Sequence, residues 1–107
     1  MDKFTSIDPN SLSTSELHKM LLLSVAPRPI ALASTVDKKG NINLSPFSCF
    51  NMFSANPPIL IFSPSRRVRD NSTKDTLENI KQVKEVVINI VNFSIVEPVS
   101  LASTEYE

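Results

Sequence analysis

One glycine serves a chain of 107 residues that also carries eight prolines. That scarcity constrains the fold more than any other feature. Glycine takes positive φ without steric penalty, so a chain this poor in it places it where the backbone demands that conformation. Gly40 closes "DKKG", between "PIALASTV" and "NINLSPF". There it predicts an antiparallel hairpin with Gly40 in a G1 bulge. Along the first arm Ile30, Leu32 and Val36 point one way, and Ala31, Ala33 and Thr35 the other. The second face is built of small side chains, which lets something approach the backbone closely.

The second arm starts at Ile42 and runs into "NLSPFSCFNMFSAN". Pro46 cannot donate to a ladder, so the strand is an edge or bulges there. Phe47, Phe50 and Phe53 are spaced by three, which also suits a helix; the preceding hairpin and Pro46 favour strand. Pro57-Pro58 makes a corner, and Ile59–Phe62 reads as a short strand buried on both faces. Residues 64–74 form a polar loop. "DTLENIKQVK" is a helix with Asp75 as N-cap, Glu78 closing a capping box, and Leu77, Ile80 and Val83 as its apolar stripe. "EVVINIV" is a further strand, and residues 92–107 have room for a short helix, whose start Pro98 leaves open. Upstream, Ser13 and Glu16 form a capping box for a helix of about two to three turns, which Pro27 and Pro29 end. Residues 1–12 read as an extended or poorly ordered leader to a single domain spanning 1–107. The count is four strands, and an open sheet edge that something must cover.

Composition excludes several functions. Hydrophobic content of 41%, charged content of 21% and zero formal net charge describe a globular chain with no overall field for nucleic acid or an anionic membrane. The N-terminal "MDKFTSIDPNSLSTSEL" lacks the apolar core of a signal peptide, and Met20–Ala26 is too short to cross a bilayer. A cytoplasmic protein is expected. Cys49 has no cysteine partner, and one His beside it leaves no zinc ligand set. Cys49 reads as a buried, inert thiol and His18 as a surface residue. No glycine-rich nucleotide loop is possible.

Two stretches carry candidate chemistry. Arg66, Arg67, Arg69 and Lys74 gather four cations before a helix N-terminus, a good setting for a phosphate dianion. Asp70 and Asp75 dilute that field, and Asp75 competes for the same amides; on these residues alone a solvated loop is the plainer account. The ribbon Asn43–Ser54 offers hydroxyls and amides beside aromatics, as a planar heterocycle requires, but on these residues alone a strand whose polar side chains face water is the plainer account.

Taken in order, "APRPIA", "AST", "D..G..N.SPFS.FN", "PP...F" and "KDT..NI" make this chain resemble the flavin reductase-like family, over roughly residues 10–107 and most strongly 25–91. The resemblance implies a mainly β protein with flanking short helices, an antiparallel split β-barrel of six strands that binds FMN near a homodimer interface. It implies reduction of flavin by NADH or NADPH, or else a role that only holds the flavin. Ser34 and Thr35 would border the cofactor; Ser48, Cys49, Phe50 and Asn51 would run along its ring and ribityl chain; Ser63, Arg66, Arg67, Lys74, Asp75 and Thr76 would surround its phosphate. Leu32 stands where relatives often carry an aromatic residue, which removes a stacking partner there. Relatives also continue with further strands, so the barrel is expected to be incomplete in this chain and completed or covered by dimerisation. The alternatives are a flavin-binding module without turnover and a half-barrel acting only in assembly.

Overall fold

The computed structural model describes residues 3–67 and 70–103; Arg69, counted above in the cationic cluster, lies outside them. After a 3-10 turn at Pro9–Ser11, the order is helix α1 (Thr14–Ser24), strands β1 (Ala31–Val36), β2 (Ile42–Phe47), β3 (Phe50–Ala55) and β4 (Pro58–Phe62), helix α2 (Asp75–Gln82), strand β5 (Val87–Ile90) and helix α3 (Val96–Ala102). The strands form two antiparallel sheets, one ordered β2-β1-β5 and the other a β3-β4 hairpin. The expected count of four strands becomes five because the ribbon is not one strand. It ends at Phe47, bends through Ser48 and Cys49, and restarts at Phe50 in the second sheet.

The Gly40 hairpin forms as its chemistry requires. Gly40 has φ +86° and donates its N–H to the Asp37 carbonyl at 3.1 Å, while Asp37 N–H donates to the Asn41 carbonyl at 3.0 Å. The Asp37 carboxylate accepts from Lys39 N–H, Asn41 N–H and Asn41 Nδ2 at 2.8–2.9 Å. The Asn41 side chain, then its backbone N–H, hold the Asp37 carboxyl below its usual value. This loop sets the register Val36↔Ile42 through Ala31↔Phe47. Among the described residues β2 pairs only with β1, so Pro46 lies on an edge strand.

Alternation along β1 is as expected, and the small face is the buried one. Ala31, Ala33 and Thr35 are covered, with Leu32, Ser34 and Val36 only half-buried. What approaches is α2, which packs on β1 and β2. Asn79 Nδ2 donates to Thr35 Oγ1 at 3.2 Å, and Asn43 Nδ2 donates to Thr76 Oγ1 at 2.9 Å. Side chains larger than alanine at 31 and 33 would push this layer apart.

Two sequence expectations are corrected. Ile59–Phe62 is not buried on both faces: Leu60 is 51% exposed and its neighbours Ile59 and Ile61 are also open. Its apolar run faces outward because only β3 pairs with β4 and no described element covers the hairpin. The N-cap of α2 is Lys74 rather than Asp75, without a side-chain cap bond, so the Asp75–Glu78 box does not form. Glu78 instead accepts from Lys81 Nζ at 3.5 Å, one turn further along the helix. In α1 the capping box is present: Ser13 N–H donates to Glu16 Oε2 at 2.8 Å, and Glu16 N–H donates to Ser13 Oγ at 3.2 Å.

The result is open rather than close-packed. The radius of gyration is 16.3 Å, against about 13 Å for a compact domain of this length. Replacing Gly40 should test the hairpin cleanly, since a Cβ there meets nothing within 4 Å and only the backbone conformation opposes it. Gly40→Ala is expected to lower unfolding stability by about 1–2 kcal/mol, measured by urea titration, with Gly40→Asn losing less.

Candidate functional site

Two clefts meet the ribbon from opposite sides of Phe47 in the chain. Ser48, Cys49, Phe50 and Asn51 line the first, a cleft of about 540 Å³ closed by the C-terminal turn of α1 and the segment Pro27–Pro29. Arg67, Lys74, Asp75 and Thr76 line the second, of about 330 Å³, together with Asn43–Pro46 and the end of α3. Both volumes lie within, or near the lower end of, the range of small-molecule sites. Phe47 is the partition. Its buried ring lies 5.3 Å from that of Phe62, and Lys74 Nζ stands 5.2 Å from its centroid. A cation over a phenylalanine face contributes roughly 0.5–1 kcal/mol at a partly exposed site, so Lys74 is held at the mouth of the second cleft.

The first cleft is apolar, with a few polar groups. Leu21, Leu22, Val25, Phe53 and Ile61 supply most of its wall, with Ser48, Asn51, Ser65 and His18 at its polar positions. Cys49 is exposed, which corrects the expectation of a buried thiol: the bend between β2 and β3 turns it outward while Phe47 and Phe50 turn inward. Its carbonyl accepts from Ser63 N–H at 2.9 Å, extending the β3-β4 pairing by one rung. His18 is exposed as expected and borders this cleft.

Arg28 is the side chain that sequence reasoning passed over. It occurs in the quoted "APRPIA" but received no role. Its Nη1 donates to the Leu22 carbonyl at 2.7 Å and to the Val25 carbonyl, and its Nε donates to Ser48 Oγ at 3.4 Å. A guanidinium at a helix C-terminus satisfies orphan carbonyls and meets the negative end of the dipole. A cation a few residues after a helix, fixed between two prolines, was the available signal.

The second cleft is ordered by its own arginines. Arg67 Nη1 donates to Ser72 Oγ at 3.2 Å and to the Thr73 carbonyl at 2.6 Å, and Arg66 Nη1 donates to the Asn71 carbonyl at 3.0 Å. Asn71 has φ +57°, and Asp70 Oδ1 accepts from Ser72 N–H at 2.9 Å. The loop is therefore folded onto itself. Arg67 and Lys74 line the cleft while Arg66 lies exposed outside its lining. Thr76 is almost wholly buried, with its oxygen accepting from Asn43. Ser63 Oγ lies 3.2 Å from Ser65 Oγ, near the first cleft rather than the second. Ser34 and Thr35 point to opposite faces of β1, Thr35 against α2 and Ser34 outward. Among the predicted site residues, then, Ser48–Asn51 are brought together with Ser63 hydrogen-bonded beside them, Arg67 and Lys74–Thr76 are brought together, and Ser34, Thr35 and Arg66 lie outside the lining of both clefts. Among the described residues no cluster of three metal-ligating side chains occurs, and no helix is long and apolar enough to cross a membrane.

Comparison with known proteins adds to this geometry. A family model described as a flavin reductase like domain matches residues 23–105. An uncharacterised protein of Aquifex aeolicus is 41% identical over 90 residues, covering 84% of this chain and 45% of that protein. Among solved structures, nitrilotriacetate monooxygenase component B from Bacillus cereus superposes with a TM-score of 0.84 at 34% identity, over 94% of this chain and 48% of that one. The 2-nitrobenzoate 2-nitroreductase NbaA of Pseudomonas fluorescens gives 0.79 at 29% identity, over 95% and 48%. The chain thus spans about half the length of the relatives it matches.

The Thr73 side chain, and then Lys81, hold the Glu78 carboxyl below its usual 4.5. A depressed acid stabilises the fold above its unfolded pKa and loses that contribution as pH falls through the folded value. Thr73→Val should return the Glu78 pKa toward 4.5, followed by NMR, and should flatten the pH dependence of stability below that value.

Proposed function

The chain belongs to the flavin reductase-like family, and on that premise we propose that it is an FMN-binding flavoprotein that accepts electrons from NADH or NADPH. The observation that carries this reading is the pair of clefts flanking Phe47. Pro46 lines one and Ser48 the other, two residue steps or about 7 Å of extended chain apart. That separation suits a molecule with an anionic phosphate at one end, a flat ring at the other and a hydroxylated chain between.

The residues fit such a group in kind as well as order. Arg67 and Lys74 would hold the phosphate, with the first amides of α2 behind them. Asp75 sits at the first helical position rather than as N-cap, and so leaves those amides to an anion. Hydroxyl and amide groups of Ser48 and Asn51 would meet the ribityl chain and ring edge, and Phe50 and Phe53 would exclude water from the ring. FMN, once bound, supplies hydride acceptance and the return of electrons to a second acceptor. What the protein contributes is the orientation of donor and acceptor.

The same premise extends to assembly. The protein exposes 8702 Å², about 2,800 Å² more than a compact monomer of 11.9 kDa. The outer face of the first sheet carries Ile42, Leu44 and Val87, all largely exposed, and the β3-β4 hairpin carries Leu60. Exposed apolar side chains gathered on one sheet face suit an interface between copies. A homodimer would cover it, with zero net charge offering no repulsion between copies.

Purified protein should bind FMN with the absorbance of a bound flavin and oxidise NADH or NADPH in its presence; a colourless protein that takes up no FMN defeats the proposal, and a yellow one inert to both nicotinamides reduces it to flavin holding. Lys74→Ala should weaken FMN at least tenfold while changing riboflavin little, because only FMN carries the phosphate; equal losses remove Lys74 from that role. Ile42→Asp should shift the species in light scattering from dimer to monomer.

A further inference from the structure

We infer that Arg28 sets the reduction potential of the bound flavin, by presenting a fixed guanidinium to the edge of the ring that turns negative on reduction. This rests on the reading that FMN places its ring in the cleft beside Ser48–Asn51. Arg28 is half-buried in the wall of that cleft. Its Nη1 is tied to two carbonyls at the end of α1 and its Nε to Ser48, so the plane of the guanidinium is held from both sides. Nη2 has no protein partner among the described residues, and no carboxylate among them pairs with Arg28.

The surroundings make that charge consequential. Buried Phe50 and half-buried Leu22 line the cleft with the half-buried Arg28, and a partly desolvated cation without a counter-ion favours any anion that can reach it. The oxidised flavin ring is neutral. Bound FMN would supply two-electron acceptance, and its reduced ring would carry a negative charge that the oxidised ring lacks. Only this form gains a full charge pair with Arg28, so the reduced state binds more tightly and the potential rises. Arg67 and Lys74 line the other cleft, where the phosphate keeps its charge through the reaction. Their effect on the two redox forms is nearly equal, which leaves Arg28 as the differential cation. It is a positioning residue for the ring, and electron transfer does not pass through it.

The test is an anaerobic reductive titration of the FMN-loaded protein against a dye of known potential, with Kd measured for oxidised and reduced FMN. In Arg28→Gln, whose amide can still donate to the helix carbonyls, the oxidised Kd should change less than about threefold. The reduced Kd should rise tenfold or more, so the midpoint falls by about 30 mV or more. Arg28→Lys, which keeps the charge, should retain most of the potential, and Lys84→Gln, which removes an exposed charge outside both clefts, should leave it unchanged. Equal shifts of both Kd values, or an unmoved midpoint with FMN bound, overturn the inference while leaving flavin binding intact. If Arg28→Gln loses its circular dichroism spectrum, the wild type decides. A bound midpoint about 30 mV or more above that of free FMN supports the role, and one at or below free FMN overturns it. A wild-type protein that takes up no FMN overturns this inference together with the reading beneath it.

Discussion

The packing of Phe47 against Phe62 is the joint on which the rest of this structure hangs. Phe47 is the last residue of β2 and lies opposite Ala31 in the first sheet; Phe62 is the last of β4 and lies opposite Phe50 in the second. Their rings, 5.3 Å apart and inclined at 39°, are a direct apolar link between two sheets that share no ladder hydrogen bond. Tilted aromatic pairs of this kind contribute about 0.5–1.5 kcal/mol beyond the area they bury. Loss of the Phe47 ring would leave the bend at Ser48–Cys49 without its anchor, and the two sheets free to change their angle.

The two clefts owe their separation to this joint. Because β2 ends at a buried ring and β3 begins at another, the polar residues between them are forced to the surface at one bend. Pro46 then borders the loop-and-helix side and Ser48 the α1 side. Lys74, drawn over the Phe47 ring, brings the cationic loop up to the same partition. The arginines of that loop act first as structural donors to carbonyls at Asn71 and Thr73, and the charge they carry is positioned as a consequence.

An open half-layer of this kind is a physical problem as well as an architecture. The inner face of β1 is well covered by α2, yet the outer face and the hairpin leave valines, leucines and isoleucines in water. At about 25 cal/mol per Å² such surface represents a large unrealised hydrophobic stabilisation. The solved structures it superposes on are about twice its length.

Features governed by neighbours within four residues were legible from the amino acids alone. The Ser13–Glu16 capping box, the positive φ of Gly40, the alternation along Ala31–Val36 and the edge position of Pro46 all depend on local sterics and short hydrogen bonds. The ordered set of motifs from "APRPIA" to "KDT" was sufficient for the family. Burial was not legible, because it depends on what distant residues place overhead. An apolar run such as Ile59–Phe62 reads the same whether a sheet covers it or not, and here nothing described does. The bend that splits the ribbon into two sheets, the shift of the α2 cap to Lys74 and the outward thiol of Cys49 were decided by tertiary packing. So was the meeting of Arg28 with Ser48, twenty residues on. A local pattern specifies which conformations a segment tolerates, and only the tertiary packing selects the one that buries the right rings.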